Sequence, residues 1–260
     1  DTPHRRPHPV DPASIAREFA RLIFPPRCQL CHQFCETPIC LTCRSAFEEL
    51  PTPICLLCGR PFHEARRYRT DECVDCRNTR RRLAAIRSFG EHKRPSGILR
   101  GAINDLKFRG NPRLGAPLGL LLAPMLTEAD HPLYLPGADS ITAIVPVPLH
   151  EARLRERGYN QAELIADALG AAVGRPVRPQ LMIRTRNTRP QVSLTGAQRA
   201  ENVRNAFRLS LPLPVEGVRV LLVDDVYTTG ATLEECARTL LRAGAETVSA
   251  VTVTRPVPEE

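Results

Sequence analysis

The stretch VLLVDDVYTTGAT, residues 220–232, places two adjacent aspartates between an apolar strand and a loop of small residues. Asp224 and Asp225 are predicted to stand where the strand emerges from the core, so that their charges need not be desolvated. Carboxylates can accept hydrogen bonds from vicinal hydroxyls, and the start of the following helix favours a phosphate. The pattern predicts a sugar-phosphate site, with an Asp turn and a Thr cap as the purely structural alternative. The loop residues are Thr228, Thr229, Gly230, Ala231 and Thr232.

Nine of the ten cysteines lie between positions 28 and 76, and eight of them form four Cys-x-x-Cys pairs. Such a pair directs two thiolates at one tetrahedral ion, so two pairs complete a structural zinc site. Disulfides are the alternative, but nothing in the sequence indicates secretion. We therefore expect two zinc ions per chain. Consecutive pairing, which we favour, would give two zinc ribbons, and alternate pairing would give a cross-braced module. The predicted ligands are Cys28, Cys31, Cys40, Cys43, Cys55, Cys58, Cys73 and Cys76.

The net charge of +8 is concentrated in the N-terminal half of the chain. Residues 1–113 hold 21 Lys and Arg against 12 Asp and Glu, whereas residues 114–260 hold 15 against 16. A basic cluster of this kind can follow the phosphates of a nucleic acid, although it can equally form an ordinary solvated surface. An aromatic content of 5% without tryptophan argues against an extended base-stacking platform. The candidate nucleic-acid contacts are Arg77, Arg80, Arg81, Arg82, Lys107 and Arg109.

From about Ala84 onward, strand and helix signals alternate. Apolar strands separated by amphipathic helices predict an α/β fold with a parallel sheet covered on both faces, and such sheets bind ligands at the carboxyl ends of their strands. Three unusual sequences, PVPLH, RTRNTRPQ and DDVYTTGAT, fall at the carboxyl ends of predicted strands. Strands are predicted within residues 84–90, 140–150, 180–185, 218–225 and 247–254. Helices are predicted over 96–110, over 114–126 with an interruption at Pro117 or Pro124, over 151–173 with a kink or break at Gly158, and over 232–243.

The chain divides by composition into three parts. Residues 1–24 are predicted to be a partly disordered leader in which a short helix could form, because the start is polar and rich in proline. Residues 25–80 form the cysteine-rich module and residues 81–260 the α/β domain. The sequence has no run of eighteen uncharged apolar residues, so we expect no membrane insertion and a cytoplasmic location.

The motif VLLVDDVYTTGAT closely resembles the phosphoribosyl-pyrophosphate (PRPP) signature of type I phosphoribosyltransferases. Together with LKFRG, VPVPLHEARLRERGYNQA, RTRNTRPQVSLTGAQRAENVRNAF and the four cysteine pairs, it makes residues 25–255 resemble the ComF family of competence proteins. The resemblance implies a type I phosphoribosyltransferase-like parallel sheet flanked by helices, preceded by a small zinc-ribbon module.

The resemblance also implies a role for each motif. Asp224 and Asp225 would hold the ribose hydroxyls as catalytic residues, and residues 228–232 would bind the 5-phosphate. Val147 and Pro148 would lie in the turn that receives pyrophosphate. Mg²⁺ would bridge the pyrophosphate and the ribose, and pyrophosphate would leave the anomeric carbon through an oxocarbenium-like state.

Arginines would supply the remaining anion contacts. Arg153 and Arg157 follow the pyrophosphate turn, although alternation with Glu151 and Glu156 would also suit a salt-bridged helix face. The stretch 185–204 would be a mobile loop that closes over the site and excludes water. Its anion contacts would be Arg186, Arg189 and Gln191.

Two functions follow from these patterns. In the first, the chain acts in natural transformation: it binds PRPP or a related sugar phosphate, and its zinc module and arginines bind single-stranded DNA or the helicase of the ComF operon. In the alternative, it is an active transferase that uses PRPP and Mg²⁺ to modify a base or nucleotide acceptor. We identify no sequence feature that would select a nucleobase.

Overall fold

The computed structural model describes residues 25–62, 71–92, 97–188, 196–210 and 215–257. The leader predicted over residues 1–24 and two predicted loop contacts, Arg189 and Gln191, lie outside the described residues.

The described part of the chain contains two β-sheets. Their strands are β1 (Ile86–Glu91), β2 (Ala143–Pro146), β3 (Met182–Arg184), β4 (Phe207–Leu209), β5 (Arg219–Val226) and β6 (Thr247–Arg255). The main sheet is parallel, in the order β1-β6-β5-β2, and this confirms the predicted α/β class. Strands β3 and β4 form a separate antiparallel pair.

Helices surround the main sheet. Within the described ranges they are α1 (Leu41–Ser45), α2 (Val74–Asn78), α3 (Ile98–Phe108), α4 (Gly115–Leu120), α5 (Pro124–Thr127), α6 (Glu151–Arg157), α7 (Gln161–Val173), α8 (Gly196–Val203) and α9 (Ala231–Arg242). In those ranges, no helix combines the length and apolarity that crossing a bilayer requires.

Strand β5 lies between β6 and β2 and is buried on both faces. Because side chains alternate along a strand, Leu221 and Val223 belong to the apolar cluster that includes α7, whereas Val220 and Leu222 belong to the cluster that includes α9. This two-sided burial explains the continuous apolar run of the strand. It also brings both helices against the strand that carries the aspartate pair.

One sequence-based prediction needs correction, and another is narrowed to one of its two alternatives. The stretch QLMIRT was expected to join the parallel sheet, but β3 pairs antiparallel with β4, a strand that the sequence did not predict. Three-residue strands carry too little periodicity to reveal their partners. The interruption in the helix over 114–126 falls at residues 121–123, just before Pro124, and Pro117 is accommodated in the first turn of α4.

The helix predicted over 151–173 is divided into α6 and α7, as its glycine suggested. Gly158 adopts φ +82°, a left-handed conformation that ends α6. Asn160 then caps α7 by accepting a hydrogen bond from Ala162 N–H, at 3.1 Å. The break turns the chain so that α7 can pack along the sheet.

The cysteine-rich module docks onto β1 through its backbone. Leu50 N–H donates to Phe89 C=O at 2.9 Å, and Ile86 N–H donates to Leu57 C=O at 2.7 Å. Arg87 is 1% exposed, and its guanidinium donates to Leu56 C=O at 2.9 Å. Burial lowers the pKa of Arg87 to about 10, and the carbonyl contacts offset the cost of the buried cation. The module and the sheet therefore share a hydrogen-bonded interface.

Close packing of α4 against α7 positions one end of the site. Gly119 of α4 lies so near α7 that an added Cβ would stand 2.3 Å from Ile165 C=O. At its N-terminus, α7 carries Asn160, whose side-chain amide donates to Val147 C=O at 3.1 Å. The helix therefore holds the turn that follows β2.

We predict opposite effects of two glycine substitutions. Gly119→Ala should lower the free energy of unfolding by roughly 1–3 kcal/mol because the new methyl group overpacks the α4–α7 contact. Gly101→Ala, within α3 and with no atom within 4 Å of the added Cβ, should raise it by up to about 1 kcal/mol through helix propensity. Denaturant unfolding measures both. Equal effects would contradict the proposed packing constraint.

Candidate functional site

The eight paired cysteines form two four-sulfur clusters. One consists of Cys28, Cys31, Cys40 and Cys43, and the other of Cys55, Cys58, Cys73 and Cys76, with the sulfurs of each cluster within 4.8 Å of one another. In each cluster one pair of sulfurs is 3.7 Å apart, which matches the S–S separation of about 3.8 Å expected around tetrahedral zinc. The predicted consecutive pairing is confirmed. Both clusters fit zinc.

Backbone N–H groups orient the sulfurs. Cys43 N–H donates to Cys40 Sγ at 3.4 Å at the start of α1, and Cys73 N–H donates to Cys55 Sγ at 3.3 Å just before α2. Hydrogen bonds of this kind stabilise thiolates and fix the geometry of a metal site. The second cluster is buried at all four positions, whereas Cys31 of the first cluster is exposed.

The aspartate pair lies within β5, not beyond it. The strand continues to Val226, and Asp225 is only 3% exposed. The expectation that neither charge would be desolvated is therefore wrong for Asp225, whereas Asp224 is half-buried. Lys107 of α3 compensates this burial, since its Nζ lies 2.7 Å from Asp225 Oδ2. Asp225 N–H also donates to Asp224 Oδ1 at 2.9 Å.

Asp224 carries the electrostatic cost of the arrangement. Burial, together with repulsion from Asp225, raises the pKa of Asp224 to about 8, although Lys107 acts in the opposite direction. Near neutral pH the pair therefore tends to retain a proton. A bound group that donates hydrogen bonds or carries positive charge would displace it.

The loop after the pair forms a tight turn at the start of α9. Gly230 adopts φ +80°, and an added Cβ would stand 2.8 Å from the hydroxyl oxygen of Tyr227, so only glycine fits. Thr228 and Thr229 are exposed, and Thr229 Oγ1 accepts from Ala231 N–H at 3.4 Å. The helix begins at Ala231, one residue earlier than predicted. Backbone N–H groups at such a turn can bind a phosphate.

The predicted pyrophosphate turn lies beside the aspartates. Strands β2 and β5 are neighbours, and Val147 N–H donates to Val223 C=O at 2.9 Å. Val147 and Pro148 are both buried. The turn is thus held from one side by β5 and from the other by Asn160.

Arg184 is a site residue that the sequence analysis missed. It is the last residue of β3 and is half-buried. Burial lowers the pKa of Arg184; the positive charge of Arg153 lowers it too, whereas the negative charge of Asp224 raises it. Its guanidinium therefore interacts electrostatically with Asp224 and with Arg153. The sequence signal was its position as the first residue of RTRNTRPQ. A cleft of about 510 Å³ runs from Arg184 to the turn at residues 148–150.

Two of the arginines that the sequence did predict as anion contacts make local contacts with neighbouring residues. Arg157 hydrogen-bonds Gln161, and its guanidinium carbon lies 5.8 Å from the centre of the Phe108 ring. Arg155 pairs with Glu151, so this part of α6 is the salt-bridged helix face of the alternative interpretation. Arg186 is exposed and donates to the backbone of Arg204.

The six candidate nucleic-acid residues fall into two groups. Two are held by contacts inside the protein. Lys107 forms an ion pair with Asp225, and Arg81 donates to Cys76 Sγ at 3.1 Å. Four are exposed: Arg77, Arg80, Arg82 and Arg109, of which Arg109 pairs with Asp105. Arg80 and Arg82 line a groove of about 580 Å³ that Thr228 and Thr229 also line.

Two protein families match the chain. The double zinc ribbon domain matches residues 19–77, and the phosphoribosyl transferase domain matches residues 156–259. These matches agree with the two cysteine clusters and the parallel sheet.

Named relatives cover most of the chain. The DNA utilization protein YhgH of Salmonella typhi is 38% identical over 62% of this chain and 67% of its own length. Competence protein F of Haemophilus influenzae is 33% identical over 70% of this chain and 77% of its own length. Competence protein ComFC of Bacillus subtilis is 29% identical over 70% of this chain and 72% of its own length.

Solved structures with some likeness include the glutamine PRPP amidotransferase from B. subtilis complexed with ADP and GMP. It is 21% identical, with a TM-score of 0.38, over 58% of this chain and 30% of that chain. The purine phosphoribosyltransferase from Pyrococcus horikoshii is 17% identical, with a TM-score of 0.32, over 55% of this chain and 91% of that chain.

We predict that two substitutions around the acid pair shift stability in opposite directions. The folded-state pKa of Asp224 is raised above its unfolded value, so its ionisation costs folding free energy as pH rises towards 8. Asp224→Asn should therefore raise Tm at pH 8 and raise it less at pH 5. Lys107→Met leaves Asp225 buried without its cation and should lower the free energy of unfolding by about 3–5 kcal/mol. The resulting fall in Tm should be larger at pH 8 than at pH 5.

Differential scanning calorimetry measures these shifts, with roughly 2–4 °C expected for each kcal/mol. Asp130→Asn, at an exposed position, is the control and should change little. A stabilisation by Asp224→Asn that is the same at both pH values would contradict the assigned burial cost.

Proposed function

Because the chain belongs to the family of competence protein F and the DNA utilization protein YhgH, we propose that it handles DNA in natural transformation and binds PRPP or a related sugar phosphate. One observation carries the sugar-phosphate part: the acid pair, the loop at residues 228–232 and the turn at Val147 meet at the carboxyl ends of the neighbouring strands β5 and β2. Parallel sheets bind their ligands at this edge.

The chemistry of the three parts suits a phosphorylated ribose. Asp224 and Asp225 supply carboxylate oxygens that accept hydrogen bonds from vicinal hydroxyls, and ionised acceptors make the stronger hydrogen bonds. The loop offers backbone N–H groups at the positive end of a helix of 12 residues. Lys107 holds Asp225 in place, so the pair does not need to reorganise when the ligand arrives.

Magnesium is the cation that this ligand implies. Carboxylate oxygens suit Mg²⁺, which usually keeps several waters and binds together with substrate phosphates. When bound between pyrophosphate and ribose, it would neutralise part of the ligand charge. Asp224 and Asp225 are the residues that would hold it, and its positive charge would favour the ionised form of Asp224.

For DNA, the proposal relies on exposed cations near this site. Arg77, Arg80 and Arg82 follow the last cysteine of the second zinc cluster. Arg80 and Arg82 line the groove next to residues 228–232, the proposed phosphate loop. Binding dominated by phosphates would be tolerant of sequence and sensitive to salt. We place this activity in the cytoplasm, where the helicase of the ComF operon would be the protein partner.

An active transferase is the second candidate, and the position of Arg184 favours it. Together with Arg153 it could neutralise a departing pyrophosphate near the turn at Val147. The segment 185–204, which begins next to Arg184, would close over the site and exclude water from the cationic transition state. In this function Asp224 and Asp225 would hold the ribose while the bond from its anomeric carbon to pyrophosphate breaks.

We predict that the wild-type protein binds Mg²⁺ and PRPP and that Asp224→Asn/Asp225→Asn binds at least about 100-fold more weakly, because it loses two charge-assisted interactions of about 1.5–3 kcal/mol each. Isothermal titration calorimetry measures the affinity, and Glu128→Gln/Asp130→Asn gives the same loss of charge at exposed positions. Binding should strengthen from pH 6.5 to pH 8.5 as the acid pair loses its proton.

The same samples separate the two candidate functions. Pyrophosphate release is measured with bases, nucleotides and single-stranded DNA as acceptors. Release that disappears in the double variant would favour the transferase, whereas binding without release would favour the DNA-handling function. Unchanged PRPP binding by the double variant would refute the site.

We predict that Arg80→Gln/Arg82→Gln weakens binding to single-stranded DNA several-fold and reduces the slope of log K against log [salt] by about 1.4, since each lost phosphate contact contributes about 0.7. The control variant Arg219→Gln/Arg242→Gln removes the same charge at the start of β5 and at the end of α9, away from the phosphate loop that lies between them. Fluorescence anisotropy at several salt concentrations compares the variants. Equal losses in the two double variants would show that only net charge matters.

A further inference from the structure

The side chain of Tyr227 packs against the turn at Gly230 in the phosphate loop. Its ring lies against Gly230, where an added Cβ would stand 2.8 Å from both Cε2 and the hydroxyl oxygen. Tyr227 is 4% exposed, and its N–H donates to Thr254 C=O at 2.8 Å. Burial raises the pKa of Tyr227, so the hydroxyl remains protonated. A shift of this ring would move the turn that it supports.

Arg81 connects that ring to the second zinc cluster. One planar guanidinium donates through Nε to Cys76 Sγ at 3.1 Å and through Nη1 to the hydroxyl oxygen of Tyr227 at 3.3 Å. Nη1 also lies 3.7 Å from Glu234 of α9. Because the guanidinium fork is rigid, these contacts relate the positions of the thiolate and the tyrosine directly.

A second arginine links the same two parts. Arg255, at the end of β6, is 3% exposed and donates to Cys58 C=O, a backbone atom of the second cluster. Its guanidinium carbon lies 4.8 Å from the centre of the Tyr227 ring. The ring is therefore in contact with two guanidinium groups that both bind the cysteine cluster.

The first cluster docks elsewhere. The segment that follows α1 contacts β1 near its carboxyl end, where Glu49 forms a bridge with Gly90 and Leu50 N–H donates to Phe89 C=O. Strand β6 lies between β1 and β5, the strand that leads into the loop at residues 228–232, so this contact is separated from that loop by one strand. This difference provides an internal control within one chain.

We propose that Arg81 and Tyr227 are positioning residues that couple the second zinc cluster to the phosphate loop, so that zinc at Cys55, Cys58, Cys73 and Cys76 and a phosphate at residues 228–232 stabilise each other. The inference rests on the proposed sugar-phosphate site and adds its dependence on one of the two metal clusters. Because such coupling is reciprocal, the phosphorylated ligand must hold zinc in the second cluster as strongly as zinc favours the ligand.

The test measures the release of zinc from each cluster in the full chain. Metal analysis first establishes two zinc ions per chain. Ribose 5-phosphate, whose binding is measured by calorimetry, is then added or omitted before excess EDTA and N-ethylmaleimide. Peptide mass spectrometry follows the alkylation of every cysteine with time, so that both clusters are read in the same sample.

We expect ribose 5-phosphate to slow alkylation of the second cluster at least about 5-fold, the lower end of typical coupling, and to change the first cluster less than about twofold. Equal changes in both clusters, or none in either although ribose 5-phosphate binds, would overturn the coupling. Failure of ribose 5-phosphate to bind would instead refute the sugar-phosphate site itself, and the coupling with it.

Two matched variants test the named atoms. Tyr227→Phe keeps the ring below Gly230 but removes the hydroxyl that accepts from Arg81, so the protection by ribose 5-phosphate should disappear while both clusters retain zinc. Arg81→Lys removes the rigid fork and should have the same effect, whereas Arg80→Lys, at the exposed neighbouring position, should keep the full protection. Full protection in Tyr227→Phe would overturn the assigned route, whether or not Arg81→Lys folds.

Discussion

The ion pair between Lys107 and Asp225 allows a strand that is buried on both faces to carry two adjacent carboxylates. Without a cation at this position, one buried charge would be uncompensated and the other would be raised further in energy by its neighbour. The pair also ties α3 to the end of β5. The acid pair is therefore positioned before any ligand arrives, although Asp224 retains a raised pKa and remains sensitive to what binds there.

The cysteine-rich module is joined to the sheet by buried arginines. Arg87 and Arg255 extend from β1 and β6 into the module. Arg87 donates to the carbonyl of Leu56, next to Cys55, and Arg255 donates to the carbonyl of Cys58. A buried guanidinium without such acceptors would be costly, so the module and the sheet edge depend on each other. Metal binding, folding of the module and the shape of the sheet edge are thus linked energetically.

This arrangement divides the basic residues by task. Arg81 lies between a thiolate and a tyrosine and has little freedom to follow a nucleic acid, whereas Arg80 and Arg82 face the groove. Four thiolates around Zn²⁺ carry a formal charge of about −2, which further reduces the positive potential near the module. The proposed DNA contacts are therefore few, and they adjoin the proposed sugar-phosphate site.

The sequence by itself determined what depends on local spacing: the eight cysteine ligands, the apolar strand before the aspartates, the glycine turn at the start of α9 and the α/β class. Only the tertiary structure decided which cysteine pairs meet, that β3 joins β4 instead of the main sheet, and that Lys107 pairs with Asp225. It also buried Asp225 and left Asp224 half-buried, although the sequence had predicted both at an exposed strand end. The reason is physical: spacing along the chain sets local geometry, but burial and charge pairing depend on residues far apart in sequence, such as Lys107 and Asp225.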